Sequence, residues 1–310
     1  MSTTSDSSRN RSKSSSTTAV LVAVIRAVHL RFHKTHIFED NYALQMLPPF
    51  WHAVASHRFL KWLVGDVILG VYRPVYPAVV LRARYTEDQL LEAMDEGVNQ
   101  YVILGAGFDT FTLRHQNIAD RLQVFEVDHP ATQEVKRQRM LKANGSLPSN
   151  LTFVPVDFET DKLDEELSKA GFDSQTPAFI SWLGVTYYLT QEAIRDSLER
   201  MASVSAPGTR LVFDFKIAKH MMSAEWRTLA EKMEGFVARR GEPMLTDFTP
   251  QSLNDLLARY GYREVEMMPP EEQQKRYLDE SSDFEPAEFF HFAHFAVAPP
   301  TEESDSQGGK

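Results

Sequence analysis

The feature that most constrains the fold is a glycine turn that directly follows a short apolar run. Residues 101–104 read as a buried strand, and they end at Gly105, Ala106 and Gly107. Glycine lets the backbone turn tightly and lie against a ligand without side-chain obstruction. A second strand candidate at 122–128 ends in acidic residues, close to the spacing at which a dinucleotide fold places its ribose-binding carboxylate. The pattern predicts an α/β fold that binds a nucleoside.

The third glycine of the dinucleotide pattern is missing. G-x-G-x-x-G would need glycine at position 110, where this chain has Thr110. We therefore expect a nucleoside cofactor without a pyrophosphate, with S-adenosyl-L-methionine as the leading candidate. A nicotinamide-dependent oxidoreductase is disfavoured by Thr110 and by the lack of a credibly placed Tyr-x-x-x-Lys pair. A non-catalytic scaffold protein that has kept the cofactor fold is the third hypothesis.

Composition narrows the classes of partner. A net charge of −10 over 310 residues argues against general nucleic-acid binding, which needs a basic face. The absence of cysteine excludes disulfides, thiolate metal sites and cysteine nucleophiles. The apolar stretch 19–30 is interrupted by Arg26 and His29 and is too short to span a bilayer, so it predicts an amphipathic helix against the core. We expect a cytoplasmic protein with no metal, nucleic-acid or membrane partner.

The chain divides into a predicted single domain between two tails. Residues 1–18, rich in serine and threonine, and residues 301–310 are predicted to be disordered, with a transit peptide as the alternative for the first segment. Residues 19–98 look like a helical cover, broken by prolines at 48–49, 74 and 77. Residues 99–300 look like an α/β core.

Strand and helix patterns alternate along the core. Strands are predicted at 100–104, 122–127, 151–155, 177–183, 209–215, 262–268 and 291–297. Helices are predicted at 130–143, 161–170, 190–203, 222–239 and 250–259, with starts at Asp161, Thr190 and Thr249 and stops at Gly145 and Gly171. Alternation of this kind predicts a doubly wound parallel sheet covered on both faces. The last two strands have no helical pattern between them and predict an antiparallel hairpin at one edge.

Three linked motifs carry a family resemblance. The strings VILGAGFDTFTLR (102–114), VFEVDHPATQEVKR (124–137) and FVPVDFETD (153–161) resemble the leucine carboxyl methyltransferase family, most closely its bacterial branch of S-adenosyl-L-methionine-dependent O-methyltransferases. The resemblance is clear from Arg82 to Leu189. It implies a Rossmann-like class I methyltransferase fold, with seven strands and an antiparallel last strand. It also implies O-methylation of a carboxylate or hydroxyl, and we favour a small-molecule acceptor.

The resemblance also implies the residues that bind the cofactor. Gly105, Ala106 and Gly107 would let the backbone approach its amino-acid and ribose parts, and Asp128, followed by His129, would accept hydrogen bonds from the ribose hydroxyls. Glu126, two residues earlier on the same strand face, is the rival of Asp128. The alternative role of Asp128 is a charge at the N-terminus of the next helix.

Two further contacts follow from the family pattern. Asp157 and Phe158 would bracket the adenine, although an aspartate at a strand end is commonly a turn residue. Arg84 would pair with the carboxylate of the cofactor, because a guanidinium matches a carboxylate bidentately. Arg82 is its rival, and a solvated helix face is the alternative for both.

Around these contacts the roles stay open. We expect Asp109 to cap the next helix and Arg114 to pair with it, although an acid there could also stabilise the sulfonium. Leu183 and Gly184 occupy the positions where many family members carry a Glu-Gly pair, which puts any contact made by that glutamate in doubt.

No catalytic residue is predicted, because a carboxylate acceptor would need only orientation whereas a hydroxyl would need a general base. Candidate bases are His29, His33, His36, Tyr187 and Tyr188. Residues 50–54 and the segment 221–250 are candidate walls of an apolar acceptor pocket.

Overall fold

The computed structural model describes residues 5–68, 70, 73–157, 160–239, 241–280, 282 and 284–298, with backbone only for 5–17 and 65–68. The helices are α1 (Ser5–Phe32), α2 (Pro49–Ser56), α3 (Arg58–Leu60), α4 (Val75–Asp95), α5 (Phe111–Arg114), α6 (Pro130–Asn144), α7 (Leu163–Lys169), α8 (Gln191–Ser203), α9 (Ala224–Ala238), α10 (Pro250–Ala258) and α11 (Pro270–Tyr277). A π-helical segment spans Lys61–Ile68. The strands are β1 (Gln100–Leu104), β2 (Gln123–Asp128), β3 (Leu151–Pro155), β4 (Phe179–Trp182), β5 (Arg210–Lys216), β6 (Tyr262–Met268) and β7 (Phe290–Val297).

The described strands form one seven-stranded sheet in the order β3-β2-β1-β4-β5-β7-β6. The first five strands of that order pair in parallel, and β7 pairs antiparallel with both β5 and β6. The direction in which strands are added reverses at β1, so the carboxyl ends of β1 and β4 flank the crevice where open α/β sheets bind ligands. The predicted doubly wound sheet with an antiparallel last strand is confirmed.

Alternation along β1 explains how both faces of the sheet are buried. Val102 and Leu104 pack into one hydrophobic cluster with residues of α7, α8 and α10, whereas Tyr101 and Ile103 pack into a second cluster with residues of α4. Successive side chains of a strand point to opposite faces, so a continuous apolar run is what a sheet covered on both sides requires.

Most helix ends agree with their sequence signals. The Thr190 side chain accepts a hydrogen bond from the Ala193 N–H, and Thr249 forms a capping box with Ser252. Gly145 ends α6 with a φ of 80°. The helix predicted to start at Asp161 starts at Leu163 instead, and the Asp161 carboxylate accepts from the backbone N–H of Asp157.

The connection between the last two strands differs from the predicted hairpin. It contains α11, whose sequence PEEQQKRY has almost no apolar periodicity and therefore gives little sign of a helix. The acidic first turn and basic last turn suit the helix dipole. The buried Gln273 amide donates to the carbonyls of Met268 and Phe290, which joins α11 to both strands.

The first helix also differs from the sequence prediction. It begins at Ser5, inside the segment 1–18 that the sequence predicts to be disordered, and it runs without a break to Phe32. A helix nucleated by the apolar stretch after residue 18 gains one hydrogen bond for each further residue, which favours extension toward the N-terminus. The Thr18 hydroxyl donates to the carboxylate of Glu242 at 2.7 Å. Residues 301–310, the second predicted tail, lie outside the described residues.

Among the described helices, none combines the length and apolar character needed to cross a membrane.

Candidate active site

One large cavity lies over the carboxyl ends of β1 to β4, between the sheet and the helices that cover it. Its volume is about 1520 Å³, more than the ~300–1,000 Å³ of a common ligand pocket, so it has room for two ligands side by side. Its floor comes from the segments that follow the strands, and its walls come from α1, α2, the first half of α4 and α9.

The glycine turn forms part of the floor and requires glycine at two positions. Gly105 has a φ of 68° and Gly107 a φ of 50°, both in the left-handed region that disfavours side chains. A Cβ at Gly107 would also lie 3.1 Å from the Cβ of Ala19, because α1 passes directly over the turn. The backbone N–H groups of Gly105 and Ala106 donate to the carbonyl of Val127, which fixes the turn against β2.

Asp128 is held at the cavity by two backbone hydrogen bonds. The Gly107 N–H donates to Oδ2 at 2.5 Å, and the His129 N–H donates to Oδ1 at 2.6 Å. Burial raises the pKa of this carboxyl, and the two backbone donors oppose that shift. His129 also lines the cavity, and its Nδ1 accepts from the Ala131 N–H at the start of α6.

Glu126, the rival of Asp128, is directed away from the cavity. Its carboxylate is fully buried and lies 2.5 Å from the ammonium of Lys136 on α6. Burial raises its pKa to about 7, against the opposing effect of Lys136. Two residues place Glu126 roughly 7 Å further back along the strand, where α6 covers the sheet. Of the two acids, the structure therefore brings only Asp128 to the cavity.

The third strand contributes Asp157, which also lines the cavity. Its carbonyl accepts from the N–H groups of Thr160 and Asp161. Phe158, the other residue predicted to contact adenine, lies outside the described residues.

Of the two arginines of α4, the structure places Arg82 at the cavity and Arg84 near the surface. Arg84 does not line the cavity: its side chain is about half exposed and pairs with Asp88 at 2.8 Å. Arg82 does line the cavity and is almost fully buried. Two residues correspond to about 200° around a helix, so only one of the pair can face the sheet. The structure therefore brings the rival Arg82, and not the predicted Arg84, to the cavity.

Arg82 is fixed by two hydrogen-bond partners, Asp214 and Tyr187, and by close contact with Gly184. Its Nη1 donates to Asp214 Oδ2 of β5 at 2.7 Å and to the hydroxyl of Tyr187 at 3.1 Å. The Gly184 N–H donates to the other Asp214 oxygen at 2.6 Å, and a Cβ at Gly184 would lie 2.7 Å from Nη2 of Arg82. Burial alone would lower the pKa of Arg82, but the Asp214 charge raises it, so the guanidinium stays charged.

Asp109, predicted to cap the next helix, lies one residue before the N-cap position Thr110 and accepts from the Phe111 N–H at 2.7 Å. Its predicted partner Arg114 instead forms a bidentate pair with Glu87 of α4. The cation nearest to Asp109 is Arg26 of α1, at 3.6 Å. Burial would raise the pKa of Asp109, but the charges of Arg26, Lys136 and Arg114 lower it, so this acid is ionised at the cavity.

Thr110, where the dinucleotide pattern would need glycine, has a structural role. Its fully buried hydroxyl donates to Asp40 Oδ1 at 2.7 Å and accepts from Nε of Arg114 at 3.0 Å. Asp40 also pairs with Arg26 at 3.3 Å. This network joins the helical cover to the glycine turn.

Most of the candidate bases are already committed to structural roles. His29 is fully buried, its Nε2 accepts from the Ile37 N–H at 3.0 Å, and burial lowers its pKa to about 4. His36 lies 3.9 Å from Glu39 near the surface. Burial and Asp214 raise the pKa of Tyr187 far above its usual value, so its hydroxyl is neutral. His33 and Tyr188 do line the cavity.

Both predicted acceptor walls contribute apolar side chains to the cavity. Trp51 and Val54 come from α2, and Trp226, Leu229 and Val237 come from α9. Leu183, where the family pattern expects glutamate, also lines it.

Sequence reasoning missed Arg26 and Asp214 as site residues. Arg26 is a charge inside the apolar stretch 19–30 of α1 and lines the cavity, whereas Asp214 is a charge between phenylalanines of β5 and acts through Arg82. A buried charge needs a partner, so a charged residue within an apolar run is a sign in the sequence that could have identified them. The described side chains contain no cluster of three or more His, Asp or Glu residues placed to hold a metal ion.

Comparisons with known proteins show the family of this chain. The sequence model of the family described as leucine carboxyl methyltransferase matches residues 19–202, more than half of the chain. The chain is 33% identical over 307 residues to "Putative S-adenosyl-L-methionine-dependent methyltransferase YktD" of Bacillus subtilis (strain 168), covering 92% of this chain and 98% of that protein. A Mycobacterium tuberculosis (strain ATCC 25177 / H37Ra) protein, also named "Putative S-adenosyl-L-methionine-dependent methyltransferase", is 32% identical over 226 residues, which cover 69% of this chain and 70% of the relative.

Two solved structures share the fold. A crystal structure described as a "putative methyltransferase" from Thermobifida fusca YX matches with a TM-score of 0.57 at 13% identity, covering 89% of this chain and 94% of that chain. A DUF574 family protein from Streptomyces avermitilis MA-4680 matches with a TM-score of 0.55 at 15% identity, covering 78% and 92%. At these identities the likeness concerns the fold alone.

Proposed function

The chain belongs to the leucine carboxyl methyltransferase family and is an S-adenosyl-L-methionine-dependent methyltransferase, and from this premise we propose that it methylates an oxygen atom of a small-molecule acceptor. The observation that carries the proposal is the division of one cavity into a polar floor and an apolar wall. The floor has the glycine turn, Asp128 and Asp157, and the wall has Trp51 and Trp226. We propose a cytoplasmic site for this reaction.

The residues of the floor fit the cofactor chemically. S-adenosyl-L-methionine has a ribose with two hydroxyl donors, an adenine with an exocyclic amine and a zwitterionic amino-acid end. Asp128 has carboxylate lone pairs for the ribose, and Asp157 has them for the amine. We assign the cofactor's carboxylate to Arg82 rather than Arg84, because only Arg82 lines the cavity. Gly105, Ala106, Gly107, His129 and Phe158 keep their proposed places around the cofactor.

Positioning is the main task of such a site. When bound, the cofactor would supply an electrophilic methyl group: the acceptor oxygen would bond to it in line with the C–S bond, whose electron pair would leave on S-adenosyl-L-homocysteine. The protein must align nucleophile and methyl and exclude water. The helices over the cavity provide that exclusion, and α1 does so most directly because Ala19 touches the glycine turn.

The wall favours an acceptor with a sizeable apolar part. A carboxylate acceptor would be ionised at neutral pH and would need no base. A hydroxyl acceptor would need one, and His33 is the histidine among the three predicted candidates that lines the cavity.

Calorimetric titration tests the cofactor assignment. We expect heat with S-adenosyl-L-methionine and S-adenosyl-L-homocysteine and none with NAD(H). Binding of NAD(H) alone would restore the oxidoreductase hypothesis. Binding without methyl transfer to any acceptor would support the non-catalytic scaffold.

Radiolabelled methyl transfer to extracts of apolar acids and alcohols tests the acceptor. Mild base hydrolyses a methyl ester to volatile labelled methanol and leaves a methyl ether intact, so one treatment separates the two oxygen acceptors. Label on nitrogen, carbon or sulfur would contradict O-methylation.

A further inference from the structure

The outer face of the segment 49–64 exposes an unusual number of large apolar side chains. Of the nine large hydrophobic residues that are exposed among the described side chains, four lie in this segment: Phe50, Phe59, Trp62 and Leu63. Phe59 is 67% exposed and Trp62 52%, and their rings lie 6.0 Å apart. We call residues 49–64 the aromatic surface. Contiguous exposed apolar groups of this kind mark an interaction site.

The aromatic surface is also basic in a chain that is acidic overall. It carries His52, His57 and Arg58, has Lys61 on its cavity side and contains no aspartate or glutamate, whereas the whole chain has a net charge of −10. Its charge therefore opposes that of the remaining protein. A partner that suits it must be apolar and negatively charged at the same place.

The inner face of the same segment is already occupied. Val54 and Ala55 are buried, and Trp51, Val54 and Lys61 line the cavity. The exposed aromatics are therefore the outer side of a cavity wall, formed by α2, α3 and the π-helical turn. A partner bound to the outer face would therefore contact the wall of the cavity from outside.

We propose that the aromatic surface docks onto an anionic phospholipid surface. Aromatic and aliphatic side chains enter the boundary between headgroups and acyl chains, while arginine and lysine contact the anionic headgroups. No spanning segment is needed, although the sequence predicts no membrane partner. A second copy of the chain fits less well, because a two-fold interface would set the same basic patch against itself. Docking is independent of methyl transfer and stands apart from the proposed function.

Vesicle sedimentation of the full chain tests the proposal. We expect binding to vesicles with about 30 mol% phosphatidylglycerol, little binding to phosphatidylcholine alone, and weakening by salt, since exposed charges are screened. Phe59→Ser with Trp62→Ser should weaken binding by about tenfold or more, because both rings leave the interface. Arg58→Gln should weaken it by a few fold.

Val265→Ser is the matched control, since Val265 is 55% exposed on the edge strand β6 and should leave binding unchanged. Circular dichroism and cofactor titration confirm that the variants fold. Absence of wild-type binding, equal binding to both kinds of vesicle, or unchanged binding of the double variant would overturn the proposal. A dimer that the double variant dissociates would identify a second copy as the occupant instead.

Discussion

The two halves of the cavity are built in different ways. The strand-end half, with the glycine turn, Asp128 and Asp157, is made by consecutive strand ends whose backbone groups hold one another. The cover half is made by α1, α2 and α9, which line the cavity with side chains from separate parts of the chain and pack in different hydrophobic clusters. Backbone hydrogen bonds tolerate little change in geometry, whereas an apolar wall can change its residues and keep its volume. This difference explains why the residues proposed to bind the cofactor are visible in the sequence, whereas those proposed to contact the acceptor are not.

The largest expected effect is a loss of folding stability, and it distinguishes Glu126 from Asp128 on β2 of the strand-end half. Glu126→Ala leaves Lys136 buried without its partner, so it should lower the free energy of unfolding by about 3–5 kcal/mol. Asp128→Ala removes acceptors for the ribose and should weaken cofactor binding by roughly 1.5–3 kcal/mol. Denaturant unfolding and calorimetry measure the two quantities. A greater loss of affinity in Glu126→Ala, measured on folded protein, would reverse the assignment.

A pH effect of about 2 kcal/mol is expected in the cover half. Burial lowers the pKa of His29 to about 4 in the folded protein, against about 6.5 when unfolded. Between about pH 6.5 and 4, His29 is protonated in the unfolded chain but not in the folded protein. Proton binding therefore favours unfolding, and the free energy of unfolding falls as the pH falls toward 4. The stability of wild type relative to His29→Asn should therefore fall by about 2 kcal/mol between about pH 7.5 and about pH 5.

Denaturant unfolding of both proteins at the two pH values measures this difference. If the gap between wild type and His29→Asn is constant with pH, His29 is not buried in its neutral form.

Variants of Arg82 and Arg84 test which arginine of α4 contacts the carboxylate of the cofactor, at the boundary between the two halves. Arg82→Lys keeps the charge but loses the planar fork, so cofactor binding should weaken by about 1–2 kcal/mol. Arg84→Lys should be neutral, because Arg84 pairs with Asp88 outside the cavity. Titration with S-adenosyl-L-homocysteine gives both values, with thermal unfolding as a check of the fold. The reverse order would return the carboxylate contact to Arg84.

The smallest expected effect concerns the acceptor wall. Leu229→Ala should lower kcat/KM for the acceptor, because lost apolar contact costs about 1 kcal/mol of transition-state stabilisation. The cofactor dissociation constant should stay unchanged. Leu91→Ala, an exposed leucine of α4 that does not line the cavity, is the control and should change neither. A change in cofactor affinity in Leu229→Ala would show that the two halves are not separate.

Particular residues show how far the sequence could lead. The strand boundaries and the caps at Thr190, Thr249 and Gly145 followed from local patterns, because those contacts are local. The sequence favoured Arg84 over Arg82 because it does not say which side of α4 faces the sheet, and only Arg82 lines the cavity. The helix α11 was missed because Gln273, which joins it to β6 and β7, gives no apolar signal.

The doubly wound sheet, the glycine turn and the strand-end position of Asp128 could be predicted from the sequence, since each depends on periodicity or on backbone conformation within a few residues. Tertiary packing was needed to show that Arg82 faces the cavity, that Glu126 pairs with Lys136 and that Arg114 pairs with Glu87. These pairings join residues far apart in the chain. A sequence pattern does not distinguish two nearby side chains of the same charge, because the partner of each depends on where it is buried.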